Sequence, residues 1–186
     1  MIALRSITAA ALLSAAALTG AAFAQENPEV GGAPMLADRN IVENAVNSAD
    51  HTTLVAAVQA AGLVETLSGE GPFTVFAPVN AAFEALPAGT VETLLQPENK
   101  DQLTQILTCH VVPAQALAAD VLGMIESGGG EAKVDTVGGC ELTLTTEGGN
   151  VIVTDENGNA ATVTIADVIQ SNGVIHVIDA VLLPAS

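Results

Sequence analysis

Three histidines, two cysteines and one acidic turn are the residues of this chain whose types could do chemistry. His51, His110 and His176 stand 59 and 66 residues apart. No pair lies at i,i+4 and no Cys–His cluster has ligand spacing, so the sequence implies no metal centre. His110 and His176 sit inside apolar runs, CHVV and VIHVID. A single histidine in such a run reads as a core residue satisfied by a hydrogen bond. His51 lies in the polar start of a helix and is expected to be exposed. A regular strand over Gly173–Pro184 puts His176 on one face with Val174, Ile178 and Ala180, and Asp179 on the other. Spacing alone therefore does not make them a catalytic dyad.

The turn Asp155-Glu156-Asn157-Gly158-Asn159 offers several oxygens, enough for a weak calcium site. It lacks the length and terminal bidentate Glu of an EF-hand, and the preferred reading is a polar hairpin turn. No Gly-x-Ser-x-Gly occurs, and Ser127 and Ser171 lie in loops without a local base. Gly128–Gly130 follows a helical stretch and precedes no Lys-Ser/Thr, so it is not a phosphate loop. No catalytic residue and no cofactor are implied. Cys109 and Cys140 are an even pair, which in an oxidising compartment reads as a disulfide. Such a staple stabilises the fold by about 3–4 kcal/mol through the loop it closes. The alternative, a reactive Cys109 thiol activated by His110, is disfavoured because neighbouring strand residues point to opposite faces.

These residues are positioned by a chain whose first part reads as targeting rather than structure. Residues 1–24 carry a positive Arg5, an apolar Ile7–Leu18 run and the small-x-small Ala22-Phe23-Ala24, the pattern of a signal peptide. No Cys follows that site, so a lipid anchor is not expected, and no later stretch is apolar and long enough to span a bilayer. The chain is expected to be exported, to the periplasm or beyond the cell. Residues 25–39 hold two prolines and a Gly pair without periodicity, and are expected to form an extended leader. Beyond residue 24 only Arg39, Lys100 and Lys133 are basic against 21 acids, a formal charge of −18. That balance repels nucleic acid and anionic lipid.

The remaining residues, 40–184, suit one domain. Its centre is Gly71–Leu86, a short buried strand over Phe73–Ala77, a break at Pro78 and a helix for which Asn80 is the expected N-cap. Phe73, Phe76 and Phe83 lie here, and no Trp or Tyr exists elsewhere. Helical spacing marks Asp38–Ala49, Leu54–Ala61, Thr90–Leu95, Glu98–Thr108 and Ala114–Ser127, with a short strand at Cys109–Val112. After residue 130 the period becomes two. Strands are expected at 131–137, 141–146, 150–155, 161–168 and 173–183, divided by Gly and Asn-Gly turns. Helices followed by strands make an α+β domain.

Two segments, FTVFAPVNAAFEAL (Phe73–Leu86) and SNGVIHVIDAVLLP (Ser171–Pro184), closely resemble the signature segments of the fasciclin-type adhesion domain. ILTCHVVP (Ile106–Pro113) is similar to that family's central Tyr-His segment, with Cys109 where Tyr is usual. The resemblance implies a fasciclin-like α+β fold, helices wrapped around a β-wedge or small barrel, with the two signature strands close together. It also implies a non-catalytic module that adheres to a surface protein or extracellular polymer, at the cell surface, in a matrix or in a biofilm. By position, Thr74, Asn80, Phe83, His176 and Asp179 match signature residues, and His110 matches the central His. They are read as holding strand, cap and core together, most of them not as contacts. Loss of the Tyr weakens any integrin-like role at that segment. The alternative function is a small-molecule carrier or sensor with a pocket among the apolar elements.

Overall fold

The computed structural model describes residues 27–185. Residues 1–24, expected to be a signal peptide, lie outside them. The stretch expected to be an extended leader is instead built into the domain. β1 (Glu29–Val30) and β2 (Ala33–Pro34) form an antiparallel hairpin around Gly31-Gly32. Both glycines have left-handed φ, 61° and 73°, which a two-residue hairpin requires. Val30 and Met35 are buried in the core. Two-residue strands carry no periodicity, so their pattern was indistinguishable from a loop.

The helices come first and are short. α1 (Ile41–Ala45) is closed by a capping box in which Asn40 accepts from the Glu43 amide and Glu43 accepts from the Asn40 amide. A single 3-10 turn (Ala49–His51) leads into α2 (Thr52–Ala61), which Gly62 ends at φ 75°. α3 (Val64–Ser68) precedes β3 (Phe73–Pro78), the strand of the central stretch. α4 (Asn80–Glu84), α5 (Thr90–Leu94) and α6 (Lys100–Thr108) follow, then β4 (Val111–Val112) and α7 (Ala118–Ser127). Cys109 is the C-cap of α6. It and His110 therefore precede the strand on which the sequence placed them.

The second half is β5 (Glu131–Asp135), β6 (Glu141–Glu147), β7 (Asn150–Thr154), β8 (Ala160–Gln170) and β9 (Gly173–Ile178). With β3 and β4 they form a seven-stranded sheet in the order β4-β3-β9-β8-β7-β6-β5. β3 and β9 pair in parallel from Phe73↔Gly173 to Pro78↔Ile178, and the other neighbours are antiparallel. β8 carries register shifts between Val163 and Val168, with Asp167 at φ 57°. Such a bulge bends the strand, letting one end pair with β7 and the other with β9. The bent sheet nearly closes on itself. Across the gap the Val137 amide donates to Val111 O at 2.7 Å and the Gly138 amide to Thr108 O at 3.1 Å. The Cys109–Cys140 disulfide spans the same gap, with Cα atoms 5.4 Å apart, a normal separation for a bridge.

Side chains alternate across β3, as the two-residue period of a strand demands. Val75 and Ala77 enter a core shared with the helices α1, α2 and α6, where Phe83 is also buried. Phe76 enters a second core inside the curved sheet, with Leu142, Leu144 and Ile178, beneath Val121 and Ile125 of α7. Every residue of β9 is buried. Burial on both faces explains its unbroken apolar run.

Candidate functional site

His110 is buried, and both ring nitrogens are engaged by backbone. Nδ1 donates to Ile106 O at 2.8 Å, and Nε2 accepts from the Leu182 amide at 2.9 Å. A carbonyl only accepts and an amide only donates, so the ring is the neutral Nδ1–H tautomer. Burial disfavours the charged form and lowers its pKa to about 4, against weaker opposing effects from the Ile106 carbonyl and Asp155. The side chain ties the end of α6 to the segment after β9.

His176 does the same elsewhere. Nε2 donates to Ala116 O at 2.8 Å and Nδ1 accepts from the Asp167 amide at 3.3 Å. Its ring stacks on Phe76 with centroids 5.8 Å apart. Burial lowers its pKa as well. Beside it, Thr74 Oγ1 donates to Ala114 O at 2.6 Å and accepts from the Ala116 amide at 2.9 Å. Asp167 accepts from the Ala118 amide at 2.7 Å. Thr74, His176 and Asp167 thus strap residues 114–118, which enter α7, onto the sheet.

His51 corrects the expectation of exposure, being 3% accessible. Nδ1 accepts from Ser48 Oγ at 2.9 Å, and Nε2 faces Ala77 O at 3.4 Å. Its pKa too is lowered, first by desolvation. The helix start folds back over β3, a tertiary contact that the polar residues around His51 did not signal.

Asn80 does not cap its own helix. It is the first residue of α4, after the N-cap Val79. Its Oδ1 accepts from the Thr53 amide at 3.0 Å and Thr52 Oγ1 at 3.2 Å, and its Nδ2 donates to Ala49 O at 2.9 Å. It therefore caps α2, whose start has no cap of its own. Asp179 lies exposed just past β9 and accepts from the Thr162 amide at 2.6 Å, fastening the strand's end to β8. His176 and Asp179 each face separate backbone partners.

The acidic turn uses its carboxylate internally. Asp155 Oδ1 accepts from the amides of Asn157 and Asn159, each at 2.9 Å. Its Oδ2 accepts from Asn159 Nδ2 at 2.9 Å and the Leu183 amide at 2.8 Å. Four donors fill the carboxylate, and the turn clamps the C-terminal segment. Among the described residues no group of three His, Cys, Asp or Glu has the geometry to hold a metal ion.

Two positions escaped the sequence reading. Buried Asn44 donates to Gln170 and to Leu36 O, joining α1 to β8. Asn172 donates to Leu67 O at 2.8 Å and Gly69 O at 3.0 Å, and accepts from the Ile41 amide at 3.0 Å. The Asn172-Gly173 dipeptide announced a turn, but nothing local announced those distant partners.

The interior space is small. The apolar cavity bounded by α1, α2 and β3 holds about 50 Å³, where ligand pockets run to about 300 Å³ and more. No helix of the described residues is long and apolar enough to cross a membrane.

The fasciclin domain family model matches residues 49–184. The chain belongs to the fasciclin domain family. Protein sll1483 of Synechocystis sp. is 50% identical over 191 residues, covering 95% of this chain and 98% of the relative. The cell surface glycolipoprotein MPB83 of Mycobacterium bovis is 32% identical over 188 residues, covering 96% of this chain and 78% of the relative. Among solved structures, the FAS1 domain pair of the insect cell adhesion molecule fasciclin I superposes with a TM-score of 0.70 at 18% identity. That match covers 82% of this chain and 52% of the pair. The fasciclin fold is shared, and in this chain Thr74, Asn80, His110, His176 and Asp179 bind the chain's own backbone.

Proposed function

We propose that this fasciclin domain is exported and acts as a non-catalytic adhesion module at the cell surface or in an extracellular matrix or biofilm. The single observation that carries the reading is how its polar residues are spent. Thr74, Asn80, His110, His176 and Asp179 all bond backbone groups of the same domain. A general base must reach a substrate proton, and buried neutral histidines with both nitrogens occupied do not. The family's adhesive members and the cell-surface location in the name of MPB83 support the setting. The small cavity does not favour the carrier or sensor alternative.

The reading is tested by retention of the labelled protein on source cells and on their purified extracellular polymer, across a salt series with and without calcium. Saturable retention is expected. Indifference to every such surface overturns it.

A further inference from the structure

A groove of about 530 Å³ opens at the end of the sheet where β3 and β9 begin. It is walled by the α3–β3 loop, the β8–β9 turn, Gln115 from the loop before α7, and Asn40. Its floor is rigid for reasons of packing. A Cβ on Gly71 would stand 1.9 Å from Asn172 O, and one on Gly173 would stand 2.1 Å from Phe73 O. Only glycine permits backbones to approach this closely. The Asn172 amide, bonded to Leu67 O and Gly69 O, locks the two walls to each other. Such a floor needs little ordering when a ligand arrives.

The rim has a distinct chemistry. Ser68, Glu70, Gln115 and Ser171 are exposed along it, and buried Gln170 lines it from below. Gln170 Nε2 donates to Val168 O at 3.3 Å, and an amide nitrogen carries a second hydrogen. Two hydroxyls, the exposed amide of Gln115 and one carboxylate supply donors and acceptors at short range, while Gln170 Oε1 is taken by Asn44. On a chain with 21 acidic residues the groove holds a single one, Glu70, and no basic group. No phosphate or sulfate finds a cation there, and a polycation finds a stronger field elsewhere on the surface. Neutral hydroxyl groups fit: each both donates to Glu70 or an amide oxygen and accepts from an amide or hydroxyl.

We propose that this groove binds a short run of a neutral, hydroxyl-rich polysaccharide. The inference rests on the adhesion reading and names the class of polymer it would grip. Its volume lies within the range of small-ligand sites, about 300–1,000 Å³.

The test is a titration of the isotope-labelled protein with neutral gluco-, manno- and galacto-oligosaccharides, followed by backbone amide shifts. Alginate oligosaccharide and oligolysine serve as the anionic and cationic contrasts. Saturable, salt-independent shifts at Gly69, Ser171 and Asn172 are expected with a neutral series. The double variant Gln115→Ala/Ser171→Ala, exposed at both positions, is expected to keep its melting temperature and to bind about tenfold more weakly. No groove shift with any neutral saccharide, shifts with oligolysine or alginate alone, or unchanged affinity in the double variant each overturn the proposal. Cell retention is read separately. Retention without groove shifts removes the groove and leaves adhesion standing, and groove shifts without retention do the reverse.

Discussion

Two of the sheet's joints between distant parts of the chain are built differently. At the first, β3 and β9 pair in parallel over six residues each, with glycine-tight contacts at one end and burial on both sides. At the second, the segment from the end of α6 to β4 and the residues after β5 meet through two backbone hydrogen bonds and one disulfide. The continuous ladder holds by cooperation among many weak contacts. The closing gap is too short for that, and a covalent bridge substitutes for the missing ladder. Cys109, at the C-cap of α6, makes that substitution possible.

Removing the bridge gives the largest effect on this contrast. Cys109→Ala/Cys140→Ala is expected to cost about 4 kcal/mol by loop-closure entropy. Urea unfolding measures the loss, and hydrogen exchange should show protection falling at Val137 and Gly138 before it falls in β9. Equal loss at both joints would break the distinction.

Acid attacks the joints through histidine. The folded pKa of His110 is lowered to about 4 from an unfolded value of 6.5. Its contribution is therefore complete above pH 6.5 and is lost as pH falls toward 4, because the unfolded chain takes up a proton that the folded one refuses. That amounts to about 3 kcal/mol for His110 alone, and His51 and His176 shift in the same direction. Unfolding free energy followed between pH 7 and 4 checks this. The slope should flatten in His110→Gln, which keeps a donor and an acceptor but does not titrate.

The smallest expected effect sharpens the comparison from the other side. Gly173→Ala pushes a methyl against Phe73 O and should cost about 2–3 kcal/mol, the scale of overpacking. Denaturant midpoints measure it. Exchange protection should fall first across β3 and β9, with the disulfide gap unaffected.

Much of this architecture was legible in the chain. The five strands after residue 130 followed from alternation and Asn-Gly turns, because antiparallel hairpins are local and their signals lie in neighbouring residues. The strands expected at 131–137 and 173–183, however, end at Asp135 and Ile178, where the chain leaves the ladder. The apolar run at β9 announced burial, and the resemblance of the two signature segments supplied their adjacency. The β1–β2 hairpin was not legible, since two residues per strand leave no period to read. Nor was the burial of His51, whose sequence neighbours are polar while its contact is Ala77 across the fold. Asn80 looked like the cap of the helix it begins, and it is a cap, of another helix. The groove is assembled from four separate stretches, and no one of them has an unusual composition.

β9 is the last strand of the sheet in chain order, yet it lies between β3 and β8 near the sheet's middle. Pairing of the sheet must therefore wait for Gly173–Ile178. A polypeptide interrupted before Gly173 presents two open strand edges, β3 and β8, with no partner for either. Such edges are templates for pairing between molecules, and long-range parallel pairing is slow to form. The position of one strand thus makes nascent and clipped chains the dangerous species. Arrival of β9 becomes the event that separates a paired sheet from one with two open edges.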